Sequence, residues 1–62
     1  MDRLTKLYGR ACDLSSSYHL KAMGEIFDAI IDLARWPDEE KRILNNCEEF
    51  ISYWEKRAKE ES

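Results

Sequence analysis

Glu25 and Asp28 form an E-x-x-D pair whose spacing puts both carboxylates on one face of a helix, and Asp32 follows one turn later. Glu39 with Glu40 and Glu48 with Glu49 add further acids downstream. Carboxylates projected from facing helices are one way a helical protein holds magnesium. Here the order and spacing do not give an E-x-x-E pair followed by an E-x-x-D pair, and 62 residues are too few to enclose a nucleotide-sized substrate. They are expected to form the solvated stripe of an amphipathic helix and to offer a contact surface to a basic partner. His19 is the lone histidine, and Ser15, Ser16 and Ser17 stand near it with no recognisable arrangement of nucleophile and base. Cys12 and Cys47 lie far apart, with no paired cysteines at metal-ligand spacing. No catalytic set, cofactor or metal is expected, and the chain reads as a non-enzyme.

Two other groups of residues could serve recognition. Arg3, Lys6 and Arg10 recur at steps of three and four and project as a short basic stripe opposite the apolar side of their helix. Duplicated in a dimer, such a stripe can grip phosphates, with Tyr8 or Tyr18 stacking on exposed bases. A formal net charge of −3, from 10 basic and 13 acidic residues, opposes general affinity for nucleic acid. The second group is aromatic. Trp36 and Tyr53 are candidates for partner recognition, since large rings dominate binding when they fill a pocket. Trp54 lies mid-way along an apolar arc and is expected in the core.

The elements that must position these residues are helical. Two glycines and one proline are too few for the turns of an all-β domain. Proline disfavours helical geometry at the residue before it, so a helix should end near Trp36. Pro37 suits the first position of the next helix, and Asp38, Glu39 and Glu40 complement the positive end of its dipole. The serine run favours capping over helix continuation. The pattern predicts helices over 3–14, 17–35 and 38–59, in one domain, with a continuous helix through the serines as the alternative.

In the last helix, Ile43, Leu44, Cys47, Phe50, Ile51, Trp54 and Ala58 share an arc of about 120°. The central helix is different. Its polar residues gather in an arc of about 100°, and apolar side chains occupy most of the remaining circumference. Such a helix needs covering on two sides. The first helix, with Leu4, Leu7, Tyr8, Ala11 and Leu14 on one face and Gly9 weakening it, is a modest cover.

A chain this small buries little apolar surface and needs reinforcement. Asp2, Arg3 and Lys6 interrupt the opening residues, so no secretory leader is expected. Both thiols are then expected reduced in the cytoplasm, and no segment approaches transmembrane length. The remaining route is association. The fold class expected is an all-α bundle of two long or three shorter helices, an antiparallel hairpin around Trp36-Pro37, completing its core as a homodimer through Leu20, Met23, Phe27, Ile30 and Ile31. In length and helical plan the chain is similar to the small RNA-binding four-helix dimers of the Rop type, which implies a dimeric helical core. The function expected is a small regulator or inhibitor, of the kind phages and mobile elements encode. It would meet a protein target through Glu25, Asp28, Asp32, Trp36, Glu48, Glu49 and Tyr53. The alternative is a dimeric RNA or DNA binder using Arg3, Lys6 and Arg10.

Overall fold

The computed structural model describes residues 2–61, the side chain of Ser16 excepted. Three α-helices pack against one another: α1 (Arg3–Cys12), α2 (Ser16–Arg35) and α3 (Glu40–Glu60), with one 3-10 turn, Pro37–Glu39, between the last two. The chain breaks at the serines. Asp13 closes α1, its N–H directed at the carbonyls of Gly9, Arg10 and Ala11. Ser15 is extended (φ −108°, ψ 161°), which breaks helical geometry and re-aims the chain before α2.

At the other end of α2, Trp36 leaves helical geometry (φ −131°, ψ 68°), as a residue before proline should. Pro37 then opens a tight turn in which Glu39 N–H bonds the Trp36 carbonyl at 3.0 Å and Glu40 N–H reaches the Pro37 carbonyl. The acids at 38 and 39 therefore belong to a 3-10 turn, and regular α3 begins two residues later than the pattern predicts.

α2 and α3 run antiparallel, with Tyr18 at the start of one beside Trp54 near the end of the other. α1 lies along both. It is parallel to α3, Arg3 meeting Glu48 and Arg10 meeting Glu55 one helical register further on. It is antiparallel to α2, Leu4 sharing a groove with Ile30 and Ala11 meeting His19.

The core between them is made of small and branched side chains: Leu7, Ala11, Ala22, Ile26, Ala29, Ile43, Leu44, Cys47 and Ile51. Ile26 and Ile51 are the largest fully buried side chains among the described residues. The alanines let the helices approach closely. The same choice leaves no room for rings, and among the described residues no aromatic side chain is buried.

Candidate interaction face

Burial divides α2 into two apolar faces. Ala22, Ile26 and Ala29 are buried against α1 and α3, with Leu33 partly covered beside them. Rotated by about two fifths of a turn, Leu20 (72% exposed), Phe27 (58%) and Ile31 (50%) form a second stripe with Ala34. Ile30 and the half-buried Met23 edge that stripe on the side of α1. α1 sits too far toward the core to shade it. Its Leu4, Thr5 and Tyr8 line a groove of about 200 Å³ with Ile26 and Ile30, while Phe27 and Ile31 stay exposed. Gly24 lies in the middle of the stripe, and a Cβ built on it would meet nothing within 4 Å.

The acidic residues do not act as one surface. Glu25, Asp28 and Asp32 line one shallow groove between α2 and α3 with Arg42, Asn46 and Phe50. Glu49 and Tyr53 line the adjoining one with Phe50 and Trp54. Glu25 is already committed to the interior: its carboxylate accepts from the Trp54 indole at 3.4 Å, and its backbone carbonyl lies 3.8 Å from the Cys47 sulfur. Glu48 faces the opposite flank of α3, toward α1, apart from Glu49. Among the described residues, no three of His, Cys, Asp and Glu converge closely enough to hold a metal ion.

The basic stripe is divided as well. Arg3 reaches Glu48 at 2.8 Å. Arg10 makes a fork: Nε and Nη2 bond the Glu55 carboxylate at 3.1 and 2.6 Å, Nη1 reaches Glu48 at 3.2 Å and Nη2 the Ser52 hydroxyl at 3.0 Å. Bidentate arginine–carboxylate geometry makes this latch stronger than an ordinary surface pair. Lys6 is exposed. Hydrogen bonding from Arg3, and after it from Arg10, holds the Glu48 carboxyl below its ordinary range, while the Glu55 hydrogen bond raises Arg10. Helical spacing brought the three bases to one side. Which side faced α3 depended on how α1 docks, and that was not legible in α1 alone.

His19 completes the α1–α2 contact. Its Nδ1 lies 3.0 Å from the Ala11 carbonyl oxygen, which can only accept, so Nδ1 carries the proton. The imidazole thereby adds a second bond to a carbonyl at the end of α1 that also accepts from the Leu14 N–H at 3.2 Å. Near the far end of α3, Trp54 packs edge-on with Tyr53 at 4.8 Å and tilted with Tyr18 at 6.2 Å, and the Lys21 ammonium lies 5.3 Å above it. Trp36 stands at the α2–α3 corner, 46% exposed, with the Arg35 guanidinium 5.9 Å over its ring. Tyr53 is 47% exposed, with Arg57 in the same relation.

No helix among the described residues is long and apolar enough to cross a membrane. Compared with protein-family models, with curated proteins and with solved structures, the chain matches none.

Proposed function

We propose that this chain is a non-catalytic regulatory or inhibitory protein of the cytoplasm that acts by protein–protein contact, with the outer face of α2 as its principal contact surface, and that it self-associates. The observation that supports this is the exposure of Leu20, Phe27 and Ile31 on one helix face. A contiguous apolar patch on a small chain is costly to leave in water, and such patches mark interfaces. The shallow α2–α3 grooves with Asp28, Asp32, Glu49 and Tyr53 are the second surface offered to a target.

The nucleic-acid reading loses support from the same geometry. Arg3 and Arg10 spend their charge on Glu48 and Glu55, which leaves Lys6 as the member of that stripe outside the latch. Phosphate binding grows with the number of cations released to it.

The test is the double variant Leu20→Ser, Phe27→Ser. Neither side chain is buried, so helicity by circular dichroism should be retained while association, read by sedimentation velocity, is lost. Association unchanged in the double variant would sink the reading of α2 as the contact face.

A further inference from the structure

The exposed stripe of α2 has a pattern of its own. Leu20, Phe27 and Ala34 recur at heptad steps, and Gly24 and Ile31 recur at the same step between them. The charged residues bordering it on the α3 side, Lys21, Asp28 and Arg35, follow the heptad too, with alternating sign. Met23 and Ile30 border it on the side of α1. A heptad seam with one ringed knob and one gap is a specification for a helical partner.

We infer that the occupant of this face is α2 of a second copy of the chain, packed antiparallel about a two-fold axis at the midpoint of the helix, with each Phe27 seated on the partner's Gly24; this rests on the reading of α2 as the contact face. Antiparallel helices set residues opposite one another in reverse order. When Phe27 faces Gly24, the same register places Leu20 against Ile31 and Ser17 against Ala34, each reciprocally, as an isologous contact requires. The polar edges then bring Lys21 toward Asp28, and the apolar edges bring Met23 toward Ile30. Ser16 and Arg35, the ends of α2, come opposite each other, so the two helices overlap along their whole length.

Three features favour this arrangement over others. Gly24 costs helix stability relative to alanine, yet nothing within 4 Å of its Cβ position in this chain requires it. A ring from a partner helix supplies the missing neighbour. A parallel pairing would instead set Gly24 on Gly24 and leave a void in the middle of the seam, and sliding the antiparallel pair until Phe27 meets Phe27 draws the two Asp28 side chains together. Finally, Tyr8 and Ile30 on one border and Lys21 and Asp28 on the other are all exposed, so neither α1 nor α3 obstructs the approach. Lys21 has only to swing from the Trp54 face, where its ammonium now lies.

The experiment uses the full chain and sedimentation equilibrium, with circular dichroism on every variant. The wild type is expected to dimerise. Gly24→Leu, which improves helix propensity and meets open space in the monomer, should keep its helicity and raise the dimer dissociation constant by roughly a hundredfold or more, the effect of losing a central knob. Asp28→Lys should weaken the dimer by setting like charges opposite each other twice, and adding Lys21→Asp should restore it. In a parallel pair those residues face apolar neighbours, and the second change would rescue nothing. A dimer indifferent to Gly24→Leu, yet abolished by the Leu20→Ser, Phe27→Ser variant, overturns the register and spares the face. A dimer indifferent to both overturns the face as well, and a wild type monomeric at millimolar concentration overturns self-association altogether.

Discussion

The two cysteines show how far one side chain's surroundings set its chemistry. Cys47 is buried in the core, and burial, with Glu25 adding to it, pushes its thiol up from the ordinary value. Cys12, at the last turn of α1, is exposed. In native buffer a chromogenic disulfide reagent should therefore titrate one thiol per chain rapidly and the second only after denaturant is added. Glu48 gives a pH prediction. Its carboxyl is held low in the folded state, so its contribution is complete above the unfolded value of about 4.3 and is lost as pH falls through the lower folded value. Tm should fall across that acid range, and Glu48→Gln should flatten part of the slope while lowering Tm at neutral pH. Arg10→Ala should cost roughly 1 kcal/mol, since exposed ion pairs are screened and only the fork lifts this one above the usual. The burial of Cys47 was legible from its place on the apolar arc. The latch was not, because it joins residues 38 and 45 positions apart.

At the scale of elements, the punctuation in the sequence located the helices well. Proline and the residue before it marked the α2–α3 corner, and the serine run marked the other break. The 3-10 turn escaped because a first-turn proline with acids after it is equally compatible with α-helix. What the sequence also carried, in its small residues, is how close the helices come. Ala11, Ala22 and Ala29 have almost no exposed surface. Ala22→Leu should overpack the three-helix junction and destabilise by ~1–3 kcal/mol, measured by denaturant unfolding. Gly9→Ala is the converse case. Nothing lies within 4 Å of the new methyl, so α1 should gain up to ~1 kcal/mol. The two helix glycines thus look alike to propensity but differ in consequence, since only Gly24 lies on the α2 seam.

As a whole, the molecule extends 38 × 19 × 15 Å, a thin body for three helices, with Leu20, Phe27, Ile31 and Phe50 turned outward. The circumference of α2 was readable as needing two covers, and the structure supplies one of them from within the chain. How α1 would divide itself between α2 and α3 was beyond a helical projection, since it depends on the fork at Arg10 and the bond from His19. Association coupled to stability has a thermodynamic signature, because anything that binds only the folded form raises Tm with concentration. Tm should climb over a hundredfold increase in protein and stop doing so in the Leu20→Ser, Phe27→Ser variant.

The indoles at the corner and the seam carry an optical consequence. Trp36 is already half in water when the chain is folded, so unfolding should scarcely move its emission. Trp54, held among Tyr18, Tyr53 and Lys21, changes surroundings as soon as α2 and α3 part. A Trp36→Phe variant would be a single-tryptophan protein whose fluorescence reads the opening of that one seam, excited in part by light absorbed at the two neighbouring tyrosines.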